Sequence, residues 1–496
     1  MHSEAIVPPP IPRRDARQVP SGAALRPLAL IAIAYGALST YADPDLWAHV
    51  RFGLDILDNG GVVTGPDRYS FTADRPFVYH EWLGGTLMAG AFRLAGPAGL
   101  VALKAILATI PSAATWYLLR HTQFMWRWLG TAAVAWGTLG IALTVRPQLW
   151  TVIGIVVVGV ILTRGSNRTL MFLPPLFALW ANLHGGWIVG GGILAIWAAV
   201  ACLKRSPLRW PLLVAGGACL MSTLLTPYGL DLWSFLVETV RFGRDDISEW
   251  QPAWRTFDSG LFWALTVALI AYSWRQHGRP EPAALLSLVF LAFAAARVNR
   301  IGPLFTVATV ILLSHQWPRD HETLRRERAT PGRNEILRTA FELCGIAAFI
   351  VITWTSGMMP RCISLKNGPD YRAAEALRGT RGRLVTFFDY GGYALWHFGP
   401  GLKVSLDGRR ETLYSMRVLH EQYAIANGTP EGLQALERIR PDYVWLPTRS
   451  SATARWLRAN GYREEIRTED SFVAVRSDLP RLPQVAIESS GCYPGP

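Results

Sequence analysis

Two acids two residues apart, Asp43 and Asp45, stand in the segment Ala42-Asp43-Pro44-Asp45-Leu46-Trp47-Ala48-His49. Asp45 and His49 are four apart, so on a helix they share one face. Further on come Tyr79-His80-Glu81-Trp82, Arg146-Pro147-Gln148, Asn182-Leu183-His184, Pro227-Tyr228-Gly229, Ser248-Glu249-Trp250 and Arg297-Val298-Asn299-Arg300. His49, His80, Glu81 and His184 are enough ligands for a metal, although their spacing matches no metal motif. Arg146, Arg297 and Arg300 lie at the ends of apolar runs. Ionisable groups at membrane depth mark substrate or ion paths, and basic pockets there suit an acidic headgroup or a phosphate. Each residue also has a structural reading. Asp43 would cap the helix after Pro44 and Asp45 would suit its dipole. His80 and Glu81 would be solvated loop residues, and Asn182 and His184 would bond a helix end. The arginines would snorkel to headgroups.

The elements that must position these residues are membrane helices. Half of the 496 residues are hydrophobic and only 17% are charged, with 21 Trp, against roughly a quarter charged in a soluble chain. Apolar runs suited to a bilayer core fall at about 27–42, 99–119, 128–144, 149–163, 170–183, 187–203, 211–226, 260–274, 282–297, 301–315 and 340–358. Basic loops at 120–127, 164–168, 204–209, 275–279 and 319–338 alternate with loops that lack them, which assigns them to the cytoplasm. The formal charge of +13 is mostly accounted for by those loops, and its distribution argues against nucleic acid as a partner. Parity then requires about eleven crossings, with a cytoplasmic tail at 1–26 and a large outer loop at 43–98. The stretch 82–96 is too short to cross and reads as an interfacial or re-entrant helix, and 230–240 reads as an amphipathic helix on the membrane. All the polar segments above then face the outer side.

Beyond residue 360 the composition changes to that of a small α/β domain, 361–496, placed outside. Segments 383–388, 403–406 and 443–446 read as strands, 431–439 and 451–459 as helices, and 464–475 as a hairpin. Asp389-Tyr390-Gly391-Gly392 and Leu406-Asp407-Gly408-Arg409-Arg410 read as strand-end turns. Cys362 and Cys492 bracket this domain and would pair in an oxidising compartment.

The segments DPDLWAHVRFG (43–53), SFTADRPFVYHEWL (70–83), ALWANLHGGW (178–187) and FDYGGYALWHF (388–398) resemble a widespread bacterial group of membrane proteins related to the GT-C glycosyltransferases. The arrangement of a first span, a large outer loop opened by an acidic motif, and helices on the membrane resembles the GT-C superfamily itself. The resemblance implies an inner-membrane enzyme that moves a sugar, with inversion, from a polyprenyl-phosphate donor to an extracytoplasmic glycan, lipid or protein acceptor. It implies Asp45, or Asp43, as general base, and Arg297, Arg300 and Arg146 on the lipid phosphate. His49, His80, Glu81, Asn182, His184, Glu249 and Asn299 would bind substrate. Trp47, Trp82 and Trp250 would stack on sugar or isoprenoid, or anchor at the membrane surface. No metal ligand set is assigned, and a divalent metal stays open as a cofactor. Two other functions fit the same residues: a transporter or flippase of a lipid-linked saccharide, and a scaffold that binds an envelope protein through its outer domain.

Overall fold

The computed structural model describes residues 31–36, 38–62, 65–241, 247–320, 362–365, 375–484 and 491–495. The expected tail at 1–26 and the expected span at 340–358 lie outside these residues. The described part is mostly helical, with a sheet region toward the C-terminal side. The first helices are α1 (Leu46–Asn59), α2 (Trp82–Leu118), α3 (Phe124–Leu139), α4 (Gln148–Arg164), α5 (Leu173–Leu183) and α6 (Trp187–Leu203). They are followed by α7 (Arg209–Ser222), α8 (Leu230–Arg241), α9 (Phe257–His277), α10 (Pro282–Arg297) and α11 (Gly302–Leu313).

Among the described residues, α2 and α9 are long and apolar enough to cross a membrane, and several shorter helices are equally apolar. Helix α9 turns Leu261, Leu265 and Tyr272 outward, and α10 exposes Leu286, Val289 and Phe293. Such apolar faces are costly in water and neutral in lipid, as expected for helices that pack in a bilayer through a minority of their surface. The segment read as a separate helix at 82–96 is set off from the helix that follows it by a break at its expected end. Helix α2 is broken only at Ala95 (φ −149°, ψ 21°) and Gly96 (φ 59°, ψ −144°). Pro97 withholds an N–H, and a glycine at positive φ absorbs the bend. Helix α8 is amphipathic as expected, with Leu232 and Phe235 buried and Leu230 exposed.

The C-terminal region is built from β1 (Gly382–Thr386), α12 (Phe388–Phe398), β2 (Leu402–Val404), α13 (Met416–Asn427), α14 (Pro430–Ile439), β3 (Tyr443–Pro447), α15 (Ser451–Ala459), β4 (Tyr462–Arg467) and β5 (Ser471–Arg476). The sheet order is β2-β1-β3-β5-β4. β1 pairs in parallel with β2 and β3, and β5 runs antiparallel to β3 and β4. The expected strands, helices and hairpin are all present. The DYGG segment is a correction, because it forms the first turns of α12 and not a strand-end turn. Its glycines serve close approach: a Cβ on Gly391 would stand 2.1 Å from the Leu406 carbonyl oxygen, and one on Gly392 would stand 2.4 Å from that of Pro44. Cys362 and Cys492 form a disulfide.

The sheet region and the 43–98 segment share one core. Leu46, Trp47, Val50, Met88 and Leu100 pack with Leu384, Tyr393, Val404 and Trp445. That segment also lies along β2, where the Val404 N–H donates to the Tyr69 carbonyl (2.8 Å) and the Phe71 N–H to that of Val404 (3.1 Å). Trp47 is fully buried, donates to the Pro494 carbonyl (2.8 Å) and packs on Tyr393 and Tyr493. It is a core residue and is not free to stack on a sugar, which corrects that expectation.

Candidate functional site

The site forms where α1, the start of α2, the 144–148 turn, the α5–α6 corner and the 248–300 segments meet. Asp43 uses both carboxylate oxygens. Oδ1 accepts from the Asp45 N–H (3.0 Å), and Oδ2 pairs with Arg146 Nη2. The capping reading of Asp43 therefore holds in part, since it satisfies an N–H at the entry to α1. The other amino group of Arg146 pairs with Glu249, and Arg300 Nη1 reaches the same carboxylate at 3.5 Å. The guanidinium of Arg300 also donates to the Gln148 side-chain oxygen and lies 5.9 Å from the centre of the Trp250 ring.

Asp45 differs. Among the described residues its carboxyl makes no hydrogen bond. Burial, then the charge of Asp43, push its pKa well above the ordinary carboxylate range, while Arg146 and Arg300 pull it back. A poorly solvated carboxylate close to arginines but not locked to them is a stronger base than one held in a bidentate pair.

Beside this cluster three imidazoles converge on one carboxylate. Nε2 of His80, His184 and His49 face Glu81 at 3.3, 3.5 and 3.7 Å. Burial alone would raise the Glu81 pKa, but His184, His80 and His49 outweigh it and hold the carboxyl well below its usual range. The tautomer of His184 is fixed by its surroundings. Nδ1 accepts from the Gly186 N–H (2.9 Å) and lies 2.6 Å from the Thr151 hydroxyl, which itself accepts from Trp180 Nε1 (3.1 Å). The ring hydrogen is therefore on Nε2, aimed at Glu81. Burial lowers the His184 pKa to about 4, and burial also lowers that of His49. His49 Nδ1 lies 3.1 Å from the Tyr79 hydroxyl. Among the described residues no three of these side chains are disposed around a shared metal position.

The remaining expected residues are placed as follows. Asn182 accepts from Trp82 Nε1 (2.5 Å) and donates to the carbonyls of Ala178 and Leu225 (2.7 and 2.9 Å). Its amide thus ties Trp82 to the end of α5 and to Leu225. The Asn299 N–H donates to the Gln251 carbonyl (3.0 Å). Arg297 is exposed at the end of α10, over the Phe293 ring at 6.0 Å, apart from the Arg146–Arg300 group.

Sequence reasoning missed how closely the C-terminal region approaches this site. Gly408 packs against Asp45, and Asp389 lies near enough to feel the charge of Asp43. Arg409 is a buried clasp. It bonds both oxygens of Asp407 (2.9 and 2.7 Å) and also Asp67 of the 43–98 segment. Its guanidinium stacks over Phe52 and Phe77 at 4.9 and 5.0 Å. The Tyr414 hydroxyl donates to Asp407 (2.9 Å).

The chain matches no family model and no curated protein. It is similar to a solved structure titled as that of ArnT from Cupriavidus metallidurans bound to undecaprenyl phosphate, with 11% sequence identity and a TM-score of 0.49 over 92% of this chain and 97% of that one.

Proposed function

We propose that the protein is a membrane glycosyltransferase that takes a sugar from a polyprenyl-phosphate carrier and gives it to a hydroxyl acceptor. The observation that carries the reading is the division of labour between two neighbouring carboxylates. Asp43 is consumed by Arg146 and the start of α1, while Asp45 is left without a hydrogen bond beside two arginines. The sequence resemblance supplies the reaction class, and the arrangement supplies the parts that class needs.

In this reading Asp45 takes the proton of the acceptor hydroxyl as its oxygen attacks the anomeric carbon. The new C–O bond forms on the face opposite the phosphate, so the configuration inverts. The bond from the anomeric carbon to the phosphate oxygen breaks, and the electron pair leaves with the polyprenyl phosphate. Arg300 and Arg146 stabilise the charge that develops there, a bidentate task suited to guanidinium. Glu81 and its three imidazoles form a fixed polar wall beside Asp45 that can hold sugar hydroxyls. No step is assigned to a metal, and sugar transfer in the presence of a strong chelator separates this reading from a metal-assisted one. The acceptor would be the hydroxyl of an extracytoplasmic glycan, lipid or protein brought to Asp45.

The test is sugar transfer from a polyprenyl-phosphate sugar by the protein in lipid nanodiscs, with native mass spectrometry of the bound carrier. Wild type should bind the carrier and form product. Asp45→Asn should bind it and form almost none, and Arg300→Ala should lose carrier. Carrier binding with equal turnover in Asp45→Asn would remove the base. Carrier translocation without product would favour a flippase. A phenotype that depends on the C-terminal region and is indifferent to Asp45 would favour a scaffold.

A further inference from the structure

Three helices that start at the acidic site end together at the opposite end of the bundle. Helix α2 starts beside Glu81 and ends at Leu118; α4 starts beside Arg146 and ends at Arg164; α11 starts just after Arg300 and ends at Leu313. At 1.5 Å per residue, a helix such as α4 is about 25 Å long, close to the thickness of a bilayer core. At this far end lies a cavity of about 150 Å³ whose polar lining is His121, Thr122, Arg164, Ser314, His315 and Arg319. No carboxylate lines it among the described residues.

The lining is built, not a chance gathering of loop side chains. Thr122 and Arg319 form an antiparallel bridge, and the Gln123 N–H donates to the Pro318 carbonyl (2.9 Å). The Asp320 N–H donates to the His121 carbonyl (2.7 Å). Arg164 donates to the Leu118 carbonyl (2.8 Å) and to the Ser314 hydroxyl (3.1 Å). Those bonds are what an arginine at the ends of helices is expected to make. They do not explain Arg319, whose side chain makes no hydrogen bond among the described residues. The charged groups that bear on Arg164 are Arg319 and Arg120, both positive. His315 Nδ1 lies 2.9 Å from the Leu312 carbonyl. A carbonyl can only accept, so Nδ1 carries the hydrogen, and Nε2 can donate to a phosphate only when the ring is protonated. Phe124 and Met125, two and three residues past Thr122, are exposed and apolar.

We propose that this cavity binds a phosphate ester, and that its source is the headgroup of an anionic lipid whose acyl chains lie along Phe124 and Met125. A headgroup phosphate would relieve the repulsion between the two guanidiniums, and basic pockets between membrane helices recognise acidic lipids in this way. The proposal is independent of the sugar-transfer reading, because it concerns the other end of the bundle.

The test is native mass spectrometry of the full-length protein in detergent, titrated with phosphatidylglycerol or with phosphatidylcholine of the same acyl chains. Wild type should retain phosphatidylglycerol in preference. Arg319→Gln and Arg164→Gln should each weaken that retention about tenfold, equivalent to about 1.4 kcal/mol, while Arg275→Gln, in another basic loop, should leave it unchanged. Arg319→Gln decides the matter if Arg164→Gln fails to fold, since it removes no hydrogen bond among the described residues. Millimolar inorganic phosphate that displaces the lipid shows a site for phosphate from either source, and no displacement assigns it to the headgroup with its chains. Equal retention of the two lipids, unchanged retention in Arg319→Gln, or an equal loss in Arg275→Gln overturns the proposal.

Discussion

Gly408 of the C-terminal region packs on the carboxyl of Asp45, so closely that a Cβ at position 408 would stand 1.9 Å from Asp45 Oδ1. No side chain fits there unless Asp45 moves. Gly408→Ala should therefore keep the fold and the bound carrier but lower kcat at least tenfold, because a displacement of about 1 Å at a reacting group can cost far more than that. A comparison of kcat and KM with wild type, with circular dichroism to check folding, reads it. An unchanged kcat would show that Asp45 need not be where Gly408 holds it.

The two aspartates should separate by kinetics. Asp45→Asn should reduce turnover by about 10²- to 10⁴-fold, the usual worth of a general base. Asp43→Asn should mainly lower stability, since it frees Arg146 from its buried partner. Only ionised Asp45 can take a proton, and burial with Asp43 raises its pKa. The acidic limb of the kcat profile should thus lie well above pH 4, where an ordinary Asp titrates, with the rate rising as pH rises through it. A limb at the ordinary position would point to a different group.

Glu249 occupies both Arg146 and Arg300, the groups proposed to receive the lipid phosphate. Carboxylate and phosphate compete for one pair of forks. Glu249→Gln should lower the KM for the carrier severalfold, about 1 kcal/mol of released competition. If the KM rises instead, Glu249 contributes to binding.

The imidazole of His184 is neutral in the folded protein, with its pKa lowered to about 4, against about 6.5 in an unfolded chain. Between those values the unfolded chain binds a proton that the folded one does not, so stability is full above pH 6.5 and falls as pH drops toward 4. Each pH unit in that window costs about 1.4 kcal/mol for one such group. Thermal melts of wild type and His184→Gln across pH 4 to 7 should differ in slope, with the variant flatter.

Removing Arg409 leaves Asp407 and Asp67 buried without their partner. Losing one side of a buried pair costs about 3–5 kcal/mol. Arg409→Met should therefore lower the melting temperature and make the region after residue 375 sensitive to protease, and Arg409→Lys should restore little, because lysine cannot form two parallel bonds.

What could be read in the sequence was local. The strands at 382–386 and 443–447 and the helices at 430–439 and 451–459 carry their periodicity within a few residues, and their bounds came out nearly as written. The segments that bear Asp43, Arg146, Glu249 and Arg300 were also legible, since polar residues at the ends of apolar runs stand out. Their mutual pairing was not, because it depends on which helix ends meet in space. The glycines at 391 and 392 misled for a physical reason. A glycine needed for a turn and one needed for close approach look the same in sequence, and only the contacts with Leu406 and Pro44 tell them apart. Arg409 gave no signal, since its partner Asp67 lies 342 residues earlier.

The bond from Trp47 to the Pro494 carbonyl spans 447 residues. At about 5–20 residues per second, of order a minute passes between synthesis of the two ends. During that interval the aspartates have been made, but the packing behind them has not. The cluster around Asp45 therefore cannot be complete on a nascent chain, and it closes only once the C-terminal region has docked onto the 43–98 segment.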